Sequence, residues 1–213
     1  MTSAATLTIT FHGYWHCGTG RGAGATLDAV VSRCDAGLPT VPGRTLRGLL
    51  RDGVRQAAAL GHLEAFWETD LFGTAQGGST AESGDEDQRR GTTPGRLAVG
   101  SAFLAPGLRD VVRRASPSEA AALAGTLFAS LGQTAIDETG TARRRSLRVV
   151  EVAMPLTLTA SLELLDGYRI GPTDGDRMTT GWVEALNVAV PFVAAIGAYR
   201  QRGLGRCTLE VAA

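Results

Sequence analysis

Apolar and polar residues alternate in two widely separated segments, the pattern of a half-buried β-strand. The first segment is Thr6–Tyr14 and the second is Leu156–Leu164. Shorter apolar segments at Arg96–Leu104 and Cys207–Val211 also have strand character. These four segments are the predicted strands of a sheet.

Three helices are predicted between these strands. Thr45–Leu60 places its leucines and Val54 on one face at helical spacing. Ser116-Pro117-Ser118-Glu119 combines an N-cap residue, a proline at the first helical position and an early acidic residue, which predicts a helix through about Leu131. Thr180–Gly197 is strongly apolar and is predicted to be a helix that Pro191 kinks.

The alternating order of strands and helices predicts an α+β fold, a ferredoxin-like sheet with helices on one face. The length of 213 residues suits a single domain, residues 1–213. Two segments interrupt it. Thr74–Gly95 holds only small, polar and charged residues and is predicted to be a mobile, disordered insertion. Gln133–Pro155 is polar and rich in arginine, with a turn near Gly140.

Charge is balanced overall but clustered along the chain. The 21 basic and 21 acidic residues cancel, so net charge alone gives no reason to expect nucleic acid. Every basic residue is an arginine, and a GC-rich genome is one explanation. Whatever the origin, the planar guanidinium is suited to binding phosphate and to stacking on bases. Arginines cluster at Arg44–Arg55, Arg143–Arg148 and Arg200–Arg206. A neutral chain of this kind can still carry a basic face.

The cysteines and the first residues bear on location. Three scattered cysteines do not make a disulfide framework, and the sequence contains neither a signal peptide nor a long apolar span. The chain is therefore expected to be cytoplasmic, without a membrane partner.

The arginines of the first predicted helix form a stripe. Arg44, Arg47, Arg51 and Arg55 recur at i, i+3, i+7 and i+11, with only Asp52 as an acidic neighbour. Like charges along one helix face repel each other unless a negative ligand lies beside them. The stripe therefore predicts an RNA-binding surface rather than a solvated face.

A glycine-rich run near the end of the chain is a second candidate. Its glycines let the backbone approach a ligand and can form an anion nest, and its arginines supply phosphate contacts. An ordinary helix end followed by a solvated turn explains the same spacing. The candidate residues are Gly197, Arg200, Arg202, Gly203, Gly205 and Arg206.

Asp28 follows the glycine-rich loop Cys17–Ala25. One carboxylate can help hold a divalent ion or polarise a 2′-hydroxyl, but a surface aspartate fits the spacing as well. A zinc site of His12, His16, Cys17 and Cys34 lacks the usual ligand spacing. RNA cleavage by His12 or His16 remains a further alternative.

The ordered set of these motifs resembles the RAMP superfamily of CRISPR-associated proteins. Within it, the chain is similar to the repeated backbone subunit of type III effector complexes, of the Csm and Cmr kind (the Cas-seven group). The motifs that carry the resemblance span nearly the whole chain: Gly18–Arg51, Leu71–Gly73, Gly95–Val99, Thr134–Ala142, Leu147–Arg148, Glu151 and the terminal glycine run.

The resemblance implies a ferredoxin-like or RRM-type palm with a β-hairpin thumb at about 133–155. It implies that Gly43, Arg44, Thr45, Arg47 and Arg51 grip the guide RNA backbone, with Arg47 replacing a lysine and Arg44 a serine of the family. The glycine run would contact RNA phosphates. The thumb, with Ile136, Arg143 and Arg148, would displace bases of the guide–target duplex.

The resemblance also places Asp28 where target-cleaving subunits carry a catalytic aspartate. The implied reaction is attack of a target 2′-hydroxyl on the adjacent phosphate with a divalent metal such as Mg²⁺ or Mn²⁺, held by Asp28. The implied partners are the crRNA guide, target RNA, copies of the chain and other CRISPR effector subunits. Two alternatives stay open: a non-catalytic RNA-binding assembly subunit, and a metal-independent guide-processing RNase that uses a histidine.

Overall fold

A computed structural model describes residues 3–24, 26–74, 94–165 and 175–213. In the described residues the regular elements follow one another as β1 (Ser3–Phe11), α1 (Gly43–Ala59), α2 (Phe66–Phe72), β2 (Leu97–Val99), α3 (Pro106–Arg114), α4 (Pro117–Gly125), β3 (Phe128–Gln133), β4 (Arg148–Ala153), β5 (Thr157–Leu164), α5 (Gly175–Ala189) and β6 (Cys207–Ala212), with 3₁₀ turns at Val190–Phe192 and Arg200–Arg202. None of these helices is long and apolar enough to cross a membrane.

The main sheet has the strand order β2-β5-β1-β6, with every neighbouring pair antiparallel. Taken as the four strands of a β-α-β-β-α-β unit, with α1 and α5 as its helices, this order is the ferredoxin-like arrangement. The α+β fold predicted from the sequence is confirmed.

Strand alternation places the core on one face of this sheet. Leu7, Ile9 and Phe11 of β1 are buried, whereas the threonines between them are partly or fully exposed. The buried face of α1 carries Leu46 and Leu50, which belong to the same apolar cluster as the strand residues. Because burial of such side chains is worth roughly 1.5–3 kcal/mol each, this face holds helix and sheet together.

β3 and β4 form a separate two-stranded hairpin, paired from Phe128↔Ala153 to Gln133↔Arg148. It overlaps the 133–155 segment expected to form a thumb, but it starts before that segment. The prediction that the helix of Ser116 continues through about Leu131 is wrong. α4 ends at Gly125, because residues 128–131 gain a full antiparallel partner in β4 that a longer helix would lose.

The second correction concerns Pro191. The predicted helix Thr180–Gly197 is instead α5, which ends at Ala189 and gives way to a 3₁₀ turn rather than continuing through a kink. Proline lacks an N–H and disfavours helical geometry in the residue before it, so the helix stops there. α2 and α3 were not predicted. Most of the predicted mobile insertion Thr74–Gly95 lies outside the described residues.

Ser116 caps α4 as its sequence predicts. Its hydroxyl accepts from the Glu119 N–H, and the Glu119 carboxylate accepts from the Ser116 N–H at 3.0 Å, which completes a capping box. We expect Ser116→Ala to lower the free energy of unfolding by about 1 kcal/mol. Urea unfolding followed by circular dichroism measures this loss. Ser130→Ala, an exposed serine on β3, is the control and should change stability by much less.

Candidate nucleic-acid interface

The glycine run is shaped by two close backbone approaches. A Cβ on Gly197 would lie 2.4 Å from the His16 carbonyl oxygen, and one on Gly205 would lie 2.1 Å from the Ile196 carbonyl oxygen. Both glycines also have positive φ angles, +103° and +77°. Only glycine satisfies both conditions, so these two residues build the turn itself.

The backbone N–H groups of this turn are largely used inside the protein. The Ala198 N–H donates to the His16 carbonyl at 2.8 Å and the Gly205 N–H donates to the Tyr14 carbonyl at 2.8 Å. The N–H groups of Arg202 and Gly203 bond within the turn as well. The anion nest suggested by the sequence is therefore mostly filled, and the side chains of the turn remain as the groups that can meet a phosphate.

The arginines of the turn point away from the core. Arg200, Arg202 and Arg206 are exposed, and the Arg202 guanidinium lies over the Tyr199 ring at 5.9 Å and donates to Gln133 at 3.5 Å. Tyr199 has φ +59°, in the left-handed region that non-glycine residues rarely occupy. Sequence reasoning missed Tyr199, because nothing in the run marks it as different from a core aromatic residue.

A groove of about 840 Å³ lies between the loop that follows β3 and the turn of the glycine run. We call it the hairpin groove. Five of its lining side chains are arginines and none is acidic. It brings together predicted residues from distant parts of the chain and adds Arg144 and Arg145 to them. Its lining residues are Gln133, Thr134, Ala135, Ile136, Arg143, Arg144, Arg145, Ser146, Arg148, Tyr199 and Arg202.

The loop between β3 and β4 holds its arginines on a hydrogen-bonded turn. One carboxylate oxygen of Asp137 accepts from the backbone N–H groups of Thr139 and Thr141, each at 3.0 Å. The Thr139 hydroxyl and these N–H groups lower the pKa of Asp137. Since the folded-state pKa is lowered, this contribution is present at neutral pH and is lost as the pH falls through the lowered pKa. Ile136 remains 61% exposed, so it is available to a base.

The predicted arginine stripe of α1 is only partly free. Arg51 donates to Glu68 of α2 at 2.8 Å, and Arg55 bonds Asp52. Arg47 donates to the backbone carbonyls of Phe72 and Leu97, and burial together with nearby Arg51 lowers its pKa. The expectation that Asp52 is the stripe's one acidic neighbour is therefore wrong, because α2 was not predicted.

Arg44 is exposed and, unlike Arg47, Arg51 and Arg55, has no ion-pair or hydrogen-bond partner within the described residues. Gly43 is buried and its N–H donates to the Ser101 hydroxyl at 3.1 Å. Thr45 lines a second, smaller cavity of about 250 Å³ together with Arg200 and Gly197. This cavity joins the start of α1 to the glycine run.

Asp28 is exposed and tied to the hairpin at two points. Its N–H donates to the Val149 carbonyl at 2.8 Å, and its Oδ2 accepts from the Val149 N–H at 2.7 Å. Among the described residues, no group bonds its Oδ1. Nor do these residues contain a cluster of three or more histidine, cysteine, aspartate or glutamate side chains that could hold a metal ion.

Of the other titratable candidates, Cys17 lines the smaller cavity, whereas His12 and His16 line neither cavity. His12 is exposed and bonds the Thr208 hydroxyl at 2.6 Å, whereas His16 is buried and its Nδ1 donates to the Glu151 carbonyl at 2.6 Å. Burial raises the pKa of the Cys17 thiol to about 12, which keeps it protonated at neutral pH. Of the four residues considered for zinc, the two histidines thus bond different groups and Cys17 is buried.

Comparison with known proteins gives a family and a fold. A family model described as the RAMP superfamily matches residues 8–208. One similar solved structure is titled "Type III-B Cmr-beta Cryo-EM structure of the Apo state". It has a TM-score of 0.64 at 9% identity, and the match covers 98% of this chain and 96% of that chain.

A second similar structure is the cryo-EM structure of the type III-B Cmr-beta bound to cognate target RNA. Its TM-score is 0.66 at 10% identity, and the match covers 98% of this chain and 97% of that one. At these identities the likeness establishes the fold. A search of curated proteins finds no match.

Proposed function

The chain belongs to the RAMP superfamily, and we propose that it is a guide-RNA-binding backbone subunit of a type III CRISPR effector complex that also cuts target RNA. The observation that carries the RNA-binding part is the hairpin groove, with its five arginines and no acidic lining residue. An exposed guanidinium in such a groove binds phosphate oxygens directly, and Tyr199 offers a ring to a base.

The likeness to a Cmr-beta structure described as bound to cognate target RNA supports this assignment. Arg44, Arg200 and Arg206 are exposed beyond the groove, so a strand that passes from it towards the start of α1 would meet further positive charge. Arg47 is not part of this contact surface, since its guanidinium already bonds two backbone carbonyls.

Cutting would depend on Asp28. The Val149 N–H of β4 bonds Oδ2 of its carboxylate, and no group of the described residues bonds Oδ1, so Oδ1 can take a hydrogen bond from a target 2′-hydroxyl. Attack of the 2′ oxygen on the adjacent phosphorus forms a 2′,3′-cyclic phosphate as the bond to the 5′ oxygen breaks. Asp28 would accept the proton of the attacking hydroxyl, and water would supply the proton that the departing 5′-hydroxyl gains. The hairpin would hold the nucleotide in line for this attack.

The protein would supply only one carboxylate ligand to a divalent ion at this site. Asp28 is a lone carboxylate, and Mg²⁺ is often bound by one or two carboxylates with the remaining ligands from substrate phosphates and water. When bound there, Mg²⁺ or Mn²⁺ would stabilise negative charge on the scissile phosphate. The hydrogen bond from Val149 to Asp28 favours one alternative, a binding subunit in which this carboxylate has a structural role.

The groove predicts a salt-dependent affinity that specific arginines control. We expect the triple variant Arg143→Gln, Arg145→Gln, Arg202→Gln to reduce the slope of log Kd against log salt by about 2, at roughly 0.7 per phosphate contact. Fluorescence anisotropy with a labelled single-stranded RNA measures the slope.

The matched control removes the same charge from α1 and α3, by replacing Arg55, Arg113 and Arg114 with glutamine. All three are exposed and none lines the groove. The control should keep the wild-type slope. An equal loss in both triple variants would mean that net charge alone governs binding, and would contradict the proposed groove.

A further inference from the structure

Glu151 is a buried carboxylate that has no part in the RNA contacts proposed above. It is 7% exposed and lies on β4, and both of its carboxylate oxygens are occupied. Oε2 accepts from the Val31 N–H at 2.9 Å, and Oε1 accepts from the Arg33 guanidinium at 2.5 Å. A charge is costly to bury unless it is paired and hydrogen-bonded, as it is here.

Both partners of Glu151 lie just after Asp28 in the chain. The segment from Asp28 to Arg33 runs beside β4: Ala29 bridges Val150 in parallel, and the Glu151 N–H donates to the Ala29 carbonyl at 2.9 Å. The segment therefore lies along β4 of the two-stranded hairpin. Glu151 bonds it through the backbone near Ala29 and through the side chain at Val31 and Arg33.

The same residue connects the Asp28 segment to the glycine run. The Glu151 carbonyl accepts from His16 Nδ1 at 2.6 Å, and the His16 carbonyl accepts from the Ala198 N–H at 2.8 Å. Hydrogen bonds thus run from the Asp28 segment through Glu151 and His16 to the turn that carries Arg200. The Glu151 side chain makes the bonds to the Asp28 segment, and its backbone carbonyl makes the bond to His16.

We propose that Glu151 is a positioning residue that sets the location of Asp28 relative to bound RNA. The inference rests on the proposed role of Asp28 in cutting. The negative charge matters, because a carboxylate accepts from both donors at once. A glutamine has one acceptor oxygen, so its NH₂ group would face the N–H of either Val31 or Arg33.

The test combines amide hydrogen exchange with cleavage by the assembled complex. In Glu151→Gln, exchange of the Asp28–Val31 amides should rise about tenfold, and the cleavage rate should fall by about 10²-fold, as small misplacements of a reacting group do. Guide and target affinities should stay within twofold, since Glu151 is buried away from the phosphate contacts. Glu163→Gln, an exposed glutamate on β5, is the matched control and should behave as wild type.

Wild-type exchange in Glu151→Gln would overturn the proposal, and so would raised exchange with unchanged cleavage. If the wild-type complex does not cut its target, the proposed cutting fails, and the exchange of Asp28–Val31 alone decides whether Glu151 places this segment. If Glu151→Gln is unfolded, Arg33→Met decides instead. Methionine keeps the contact with Phe128 and removes one donor, so exchange should rise at the Asp28 segment but not in the control Arg113→Met.

Discussion

Target cleavage by the assembled complex is expected to fall by about 10²- to 10⁴-fold when Asp28 is replaced by asparagine. The asparagine side-chain oxygen can still accept from the Val149 N–H, so the loop stays attached to β4. The negative charge is lost, and an NH₂ group replaces Oδ1, the oxygen proposed to accept from the 2′-hydroxyl. A single-turnover assay with labelled target RNA measures the rate, and Asp52→Asn on α1 is the matched control, with wild-type cleavage expected.

Asp28→Ala separates the chemical role from the structural one. Alanine removes the charge and the side-chain hydrogen bond from the Val149 N–H. Cleavage should therefore be lost, and amide hydrogen exchange in the loop that carries Asp28 should rise. Guide and target binding should persist in both variants, because phosphate contacts dominate affinity. If asparagine cuts at the wild-type rate while alanine does not, Asp28 has a structural role and the proposed chemical role of its carboxylate is wrong.

The second large effect concerns stability. Gly205→Ala is expected to lower the free energy of unfolding by about 3–4 kcal/mol. The positive φ accounts for roughly 1–2 kcal/mol of this loss, and the clash with the Ile196 carbonyl accounts for the rest. Urea unfolding of the purified protein measures it.

Gly203→Ala is the matched control for this prediction. Gly203 has φ +87°, but a Cβ there would meet nothing within 4 Å. Its replacement should therefore cost only the conformational part, about 1–2 kcal/mol. Equal losses in the two variants would show that the contact with Ile196 contributes nothing.

The local pattern of apolar residues was sufficient to predict an element wherever its buried residues recur at helical or strand spacing. α1 was predicted at Thr45–Leu60 and is observed at Gly43–Ala59, because its leucines repeat at helical spacing. β5 and β6 were predicted to within a residue, since apolar residues alternate along both. The ferredoxin-like fold was predicted from the alternation of such strands and helices along the chain.

The candidate site was predicted less completely, because its residues meet only after folding. Arg143, Arg148 and Arg202 were singled out separately, and the fold brings them to one groove with Arg144, Arg145 and Tyr199. Their roles as RNA contacts stay predictions.

Arg47 and Arg51 show the opposite case. Their spacing predicted a free basic stripe, but Arg51 pairs with Glu68 and Arg47 bonds the carbonyls of Phe72 and Leu97. Helical spacing shows which face of α1 a side chain occupies. It carries no information on which group of another element lies opposite.

The sequence by itself determined the four strands of the main sheet and their order along the chain, the buried face of α1 and the arginine clusters, because these depend on residues within a few positions of each other. Tertiary structure decided the partners. β3 replaced the end of a predicted helix because β4 supplies backbone hydrogen bonds from about 15 to 25 residues away. Glu151 met Val31 and Arg33 across more than 110 residues, and such pairings depend on the whole fold since a buried charge takes whichever donors the packed chain brings to it.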